Sequence, residues 1–259
     1  MTTKDGVIGK IRPLILVGGL GTRLKPRTNY LPKPLLPVDG RPILWYALNA
    51  LLGYKMLPPK VTTGYKGDLI RTFFERDNAQ FCELPGRTMA EAVLNVAEDD
   101  SADAFLGMSS DVLVPRNAVQ EILNDYCENG RRDTLLFVRL PKVGHKKWEF
   151  CVENGRLYDI IAKDSQTNFE KVLLLLNKKS LQEVRTLLGR PVADDTIPEE
   201  VKGFQTGWIL ILKSMILAGI DVFARVVDIP VCNINVPTDF VQAEEFVKQQ
   251  IGRWLSAEA

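Results

Sequence analysis

The residues of this chain best suited to chemistry lie near its start, where Gly18, Gly19, Leu20, Gly21, Thr22 and Arg23 follow a short apolar run. Glycine tolerates positive φ and lets backbone N–H groups come close to a ligand, so successive amides form a concavity that suits an anion. Phosphate is the natural guest. Between Lys10 and Lys33 stand six Lys or Arg residues and no acidic one, which concentrates positive charge on this loop. Elsewhere the chemistry is narrowed by scarcity. The single histidine, His145, excludes sites built from two imidazoles, and Cys82, Cys127, Cys151 and Cys232 lie too far apart for a C-x-x-C clamp. These cysteines read as buried free thiols.

The string G-G-L-G-T-R-L-K-P-R-T-x-x-x-P-K-P-L-L-P-V, residues 18–38, closely resembles the signature of the sugar-1-phosphate nucleotidyltransferase family. Only Arg27 departs, where leucine is usual. The resemblance implies a nucleoside triphosphate held by Gly18, Gly19, Gly21 and Thr22, with Arg23 on the departing pyrophosphate and Lys33 near the reacting phosphates. Those types suit nucleotidyl transfer, which is mostly positioning and charge neutralisation by fixed cations and Mg²⁺. The resemblance implies that the nucleophile belongs to the acceptor's own phosphate, so that an NDP-linked product and pyrophosphate would form.

Further along, the resemblance is looser. Glu83 and Thr88 stand where relatives carry a base-reading segment, Thr88 in the place of a glycine, and a solvent-facing glutamate is the alternative for Glu83. An ionised Glu83 only accepts hydrogen bonds, which suits guanine N1–H or uracil N3–H and favours GTP, UTP or dTTP. Asp111, in Ser-Ser-Asp, resembles the family's metal aspartate, a hard oxygen donor for Mg²⁺ shared with phosphates. Its alternative is an N-cap for the next helix. The string Asn233-Ile-Asn235-Val-Pro-Thr-Asp239 resembles the family's second metal position. Asn233 and Asn235 face the same side of a strand, so the sequence does not choose between them. Asp239 reads as a helix-start acid. Ala162-Lys163-Asp164 stands where relatives often carry Glu-Lys-Pro. Lys163 keeps the acceptor-phosphate contact, while the missing glutamate and the cluster His145, Lys146, Lys147 argue against a simple neutral hexose phosphate.

Elements that would position these groups can be read from periodicity. Strands are expected over Arg12–Val17, Ala79–Leu84 and Ala104–Met108, and helices over Pro42–Gly53, Lys66–Arg76, Thr88–Glu98 and Pro115–Asn129. Asp111 then falls at a strand's carboxyl end. From Thr134 short strands are expected over Thr134–Arg139, Trp148–Glu153, Arg156–Ala162 and Val172–Leu176, with Asn154-Gly155 as a hairpin turn. A loop over Arg190–Lys202, strands over Trp208–Leu212, Val222–Val227 and Val231–Val236, and a helix over Pro237–Trp254 complete the reading. The fold class is α/β, a single Rossmann-like domain with a mainly parallel mixed sheet. Its nucleotide-binding half spans 10–130, an antiparallel acceptor-binding sub-region spans 131–236 and a C-terminal helix spans 237–259.

Composition limits the rest. With 46 % apolar residues in 259, the chain can bury a core, and 33 basic against 32 acidic residues predict no general attraction to nucleic acid or an acidic membrane. No stretch approaches the roughly 18 apolar residues of a bilayer span, and the N-terminus lacks a leader-like apolar segment. A cytoplasmic, reduced setting is expected. The expected partners are a triphosphate and a phosphorylated acceptor, a sugar-1-phosphate or another phosphorylated alcohol, and a homo-oligomer stays open. Arg27, Thr88 and Ala162 keep a second reading in play, a silent family member acting as a regulatory subunit.

Overall fold

The computed structural model of the protein describes residues 4–83, 88–189 and 207–255, with side chains for all of these except 139–147, 162–169 and 251–255. The first half runs through α1 (Lys4–Ile8), β1 (Ile11–Val17), α2 (Arg27–Tyr30), β2 (Pro37–Val38), β3 (Arg41–Pro42) and α3 (Ile43–Asn49). It continues through β4 (Lys60–Thr63), α4 (Gly67–Phe73), β5 (Gln80–Glu83), α5 (Met89–Glu98) and β6 (Ala104–Ser109). Then come β7 (Val112–Leu113), α6 (Arg116–Glu128), the long hairpin β8 (Asp133–Glu153) and β9 (Arg156–Asn177), and α7 (Lys178–Leu188). The last elements are α8 (Trp208–Leu217), β10 (Val222–Val227), β11 (Cys232–Asn233) and α9 (Asp239–Leu255).

The main sheet has the order β10-β8-β9-β6-β1-β4-β5. β1 lies parallel between β4 and β6, β5 is parallel to β4, and β10 is parallel to β8, while β9 runs antiparallel to β6 and β8. Both faces of this sheet are covered, so β1 is buried along its whole length and its side chains divide between two cores. Ile11, Ile15 and Val17 join the core formed with α3, α6 and α9, and Leu14 and Leu16 join the one formed with α5, α7 and α8. The fold is therefore a mixed α/β sheet of the Rossmann-like kind, with its parallel part and its antiparallel hairpin where the sequence puts them.

Several elements differ from expectation, each for a physical reason. Trp208–Leu212 is not a strand but the start of α8, whose residues Trp208 to Leu212 are all buried. A run that is apolar all round carries no period to tell a strand from a helix enclosed by other elements. The Trp208 ring takes the space over Gly107, where a Cβ would lie only 2.5 Å from it. The four short strands after Thr134 fuse into β8 and β9, joined by Asn154 (φ 50°) and Gly155 (φ 75°). Positive φ at both residues is what a tight two-residue hairpin needs. The interrupted pattern that looked like gaps corresponds to register shifts within one ladder. Helix α3 ends at Asn49 rather than Gly53, with Pro42 as its N-cap, and Val231–Val236 shrinks to the two residues of β11. α1 and α7 were not expected, although Leu181, Val184 and Leu188 form a buried stripe on α7. Of the four thiols only Cys232 is buried outright, the others being half-buried. The Arg190–Lys202 loop lies outside the described residues. Among the described residues no helix is long and apolar enough to cross a membrane.

At the amino-terminal edge of the sheet, buried Asp100 accepts ion pairs from Arg12 of β1 and Lys60 of β4, each at 2.7 Å. Burial alone would raise its carboxyl, but Lys60, Arg12 and the Ala102 N–H outweigh that and hold it below the usual value. Because the folded pKa is depressed, this contribution is present above the ordinary carboxylate range, about pH 4, and is lost as pH falls through the folded value. Asp100→Ala strands two cations and is expected to cost about 3–5 kcal/mol. Urea denaturation at pH 7 measures that loss, and the same titration below about pH 4 should show the variant converging on the parent.

Candidate functional site

The carboxyl ends of β1 and β6 lie side by side, since Leu16 is in register with Ser109. The glycine loop leaves one of these ends and the Ser110-Asp111 turn leaves the other. Gly21 sits at φ 62°, and a Cβ there would lie 2.9 Å from Thr28 Cγ2 and 3.3 Å from Lys33 Cβ. The loop is thus folded tightly onto the segment that carries Lys33, and Thr28 Oγ1 donates to the Gly21 carbonyl to hold it there. Gly19 is different. A Cβ built on it meets nothing within 4 Å, and it is exposed, so the backbone here stands open to an incoming group. Lys66, at the start of α4, donates to the carbonyls of Asn29 and Tyr30, tying the end of β4 to the same loop.

Two polar contacts gather the candidate residues. Lys33 Nζ donates to Asp111 Oδ2 at 3.0 Å, joining the loop after β1 to the turn after β6. Arg23 Nη2 donates to Asn235 Oδ1, also at 3.0 Å. The two halves are linked through the backbone, because β11 pairs with β7 and Ile234 N–H donates to the Asp111 carbonyl. Asp239 accepts from the N–H groups of Asn235 and Val236, so it stiffens this stretch from the first turn of α9. Asp111 is not an N-cap: the capping position of α6 belongs to Pro115.

The pair Asn233 and Asn235 can now be separated. Asn235 spends its oxygen on Arg23, whereas Asn233 Oδ1 is buried and has no hydrogen-bond partner. A buried acceptor without a donor is costly, and a cation beside Asp111 would satisfy it. Asn233 therefore fits a metal position better than Asn235. Among the described residues no three His, Cys, Asp or Glu side chains gather as a metal cage. A donor set of one carboxylate and one amide suits a hard ion that takes its remaining ligands from substrate phosphates.

The other sequence candidates fall at graded distances from this centre. Thr88 is the N-cap of α5, its hydroxyl accepting from Glu91 N–H at 3.1 Å, which gives a local reason for threonine at that place. Glu83 ends β5, is 82 % exposed at its side chain and lies 3.6 Å from Arg71. Arg27, the departure from the signature, sets its guanidinium over the Phe240 ring of α9, 4.9 Å from the centroid. It packs one element against another. Lys163 lies on β9, and its side chain, like those of His145, Lys146 and Lys147, is outside the described set.

Sequence reading missed Lys171. It sits on β9 two residues before Leu173, the partner of Met108, and so runs alongside the turn bearing Ser110 and Asp111. Burial lowers its pKa while the carboxylates of Glu170 and Asp111 oppose the shift. The signal was there in principle, as the lone cation at the head of the run Val172 to Leu176.

Residues 12–150 match the family model described as Nucleotidyl transferase. The chain is 39 % identical over 64 residues to a probable glucose-1-phosphate cytidylyltransferase of Bacillus subtilis (strain 168), a match covering 25 % of each chain. It is 29 % identical over 171 residues to the bifunctional protein GlmU of Methanococcus maripaludis, covering 66 % of this chain and 36 % of that one. The chain thus spans about a quarter to a third of the length of these curated relatives. Among solved structures, the CTP:phosphocholine cytidylyltransferase of Streptococcus pneumoniae superimposes with a TM-score of 0.70 at 17 % identity, covering 92 % of this chain and 99 % of that one. The inositol-1-phosphate CTP transferase of T. maritima gives 0.69 at 16 %, covering 92 % and 96 %. At such identities the two structures speak for the fold.

The Lys33–Asp111 pair is partly exposed, its side chains keeping 13 % and 33 % of their surface, so it contributes about 0–1 kcal/mol to stability. Asp111→Ala should leave the unfolding midpoint close to that of the parent in a urea titration. A loss above about 2 kcal/mol would assign the residue a structural role instead.

Proposed function

Because the chain belongs to the nucleotidyl transferase family, we propose that it transfers a nucleoside monophosphate from a triphosphate to a phosphorylated acceptor. The observation that carries this reading is the meeting of Arg23, Lys33 and Asp111 at the adjacent carboxyl ends of β1 and β6, beneath an open glycine loop. The names of the relatives, a glucose-1-phosphate cytidylyltransferase among them, support a sugar-1-phosphate as acceptor. A phosphorylated alcohol of another kind is supported by the departure at Ala162-Lys163-Asp164.

In the proposed reaction an acceptor phosphate oxygen attacks the α-phosphorus. The bond to the bridging oxygen breaks, and pyrophosphate leaves with its electron pair. The backbone around Gly18, Gly19, Gly21 and Thr22 cradles the triphosphate. Lys33 exchanges Asp111 for phosphate oxygens, and Arg23 exchanges Asn235 for the leaving pyrophosphate. Lys171, beside Asp111, adds a side-chain amine on the side of the antiparallel hairpin, where the acceptor would enter. Mg²⁺, if held by Asp111 and Asn233, would neutralise charge on the phosphates. No protein nucleophile is required, so the gain comes from fixed charges placed in advance. Glu83, exposed at the end of β5, is available to read a base N–H.

Pyrophosphate release should be measured with Mg²⁺ for each of ATP, GTP, CTP, UTP and dTTP against sugar-1-phosphates and other phosphorylated alcohols. Release that requires one triphosphate and one acceptor is the expected result. Silence with every pair, together with no rise in melting temperature from any triphosphate, would favour a regulatory family member. With the active pair identified, Arg23→Ala should lower the maximal rate by roughly 10² or more, as loss of a charge stabiliser in the transition state does.

A further inference from the structure

Helix α2, which follows the glycine loop, is only four residues long. The last four carbonyls of a helix have no intrahelical donor, so every carbonyl of α2 needs one from elsewhere. Leu31 N–H answers Arg27, and Pro32, which comes next, has no N–H to give. The other three are answered from the segment between β4 and α4. Tyr65 Oη donates to the Thr28 carbonyl at 3.3 Å, and Lys66 Nζ donates to those of Asn29 and Tyr30 at 2.7 Å each. Lys66 reaches them from the left-handed region, at φ 54° and ψ 37°, with its ammonium 5.4 Å from the centre of the Tyr65 ring. A non-glycine residue persists there only where its surroundings compel it, and such strain clusters beside functional sites.

Thr28 passes this hold on to the glycine loop. Its carbonyl accepts from Tyr65, its hydroxyl donates to the Gly21 carbonyl at 2.9 Å, and its Cγ2 lies where a Cβ on Gly21 would meet it. The cations of the site are anchored separately, Arg23 on Asn235 and Lys33 on Asp111. We propose that Tyr65 and Lys66 are positioning residues for triphosphate binding: by fixing the end of α2 they keep the backbone from Gly19 to Gly21 in the shape that receives phosphates. The proposal rests on the triphosphate site inferred above. Lys66 is spent on two carbonyls, so its part lies in order rather than in charge. Without the clamp the triphosphate itself must order the loop, and that entropy is taken from affinity. Once the triphosphate is bound the loop has the same shape, so the loss falls on KM far more than on the maximal rate.

The test is binding, read without any transferase activity. Each of ATP, GTP, CTP, UTP and dTTP is titrated into the full chain with Mg²⁺ by calorimetry, and the tightest is carried through the variants. Lys66→Met, which keeps most of the stem but not the donors, should weaken binding about tenfold at a near-parental melting temperature. Lys66→Arg, whose fork can reach both carbonyls, should recover most of that loss. Thr28→Val, which cuts the link to the Gly21 carbonyl, should weaken binding in the same direction. In Lys66→Met and Thr28→Val alike, hydrogen exchange of the ligand-free protein should quicken at the amides from Gly19 to Leu31. Parent-like affinity in whichever of these two variants folds would overturn the proposal and leave the triphosphate site standing. So would weaker binding with unchanged exchange, which would make Lys66 a charge acting on the phosphates. No binding of any triphosphate by the parent would remove the site itself, and the proposal with it.

Discussion

The parallel pairing of β1 with β6, from Ile11↔Ala104 to Leu16↔Ser109, is the constraint on which the site depends. Both strands are buried on both faces, so neither can slip without moving a whole set of apolar side chains out of its core. With the register fixed, the loop after Val17 and the turn after Ser109 must emerge together. Neither loop needs to be rigid by itself. Gly21 accepts Thr28 and Lys33 against its bare Cα, Lys66 clamps Asn29 and Tyr30, and β11 joins β7 to bring Asn233 and Asn235 to the same place.

Lys33 and Arg23 already have partners, Asp111 and Asn235, which hold them in position while the site waits. Both contacts are partly open to solvent and so are weak. The candidate site holds the Asp111 carboxylate, the Asn233 amide oxygen without a hydrogen-bond partner and, alongside, the side chain of Lys171, whose pKa burial lowers. Arg27 and Thr88, which set the sequence apart from its relatives, do ordinary structural tasks: one packs on Phe240 and the other caps α5.

Much of this was legible because the signals were local. The glycine loop, the strand-ending Asp111 and the Asn154-Gly155 turn each follow from residue type and spacing over a few positions. What escaped depended on the surroundings. Trp208 to Leu212 became a helix because α5, α7 and the sheet enclose it on every side, a fact absent from its composition. That Arg23 takes the Asn235 oxygen and leaves the Asn233 oxygen without a partner could be seen only in the folded chain. Lys171 drew no notice on its own strand, since its meaning comes from lying beside Asp111 across the sheet.

The most direct test of the account is a crystal structure of the protein with a slowly hydrolysed triphosphate analogue and Mg²⁺. The phosphates are expected over Gly18 to Gly21, with Lys33 Nζ on a phosphate oxygen rather than on Asp111 and Arg23 released from Asn235. A triphosphate seated elsewhere, with the 3.0 Å contacts of Lys33 and Arg23 intact, would contradict it.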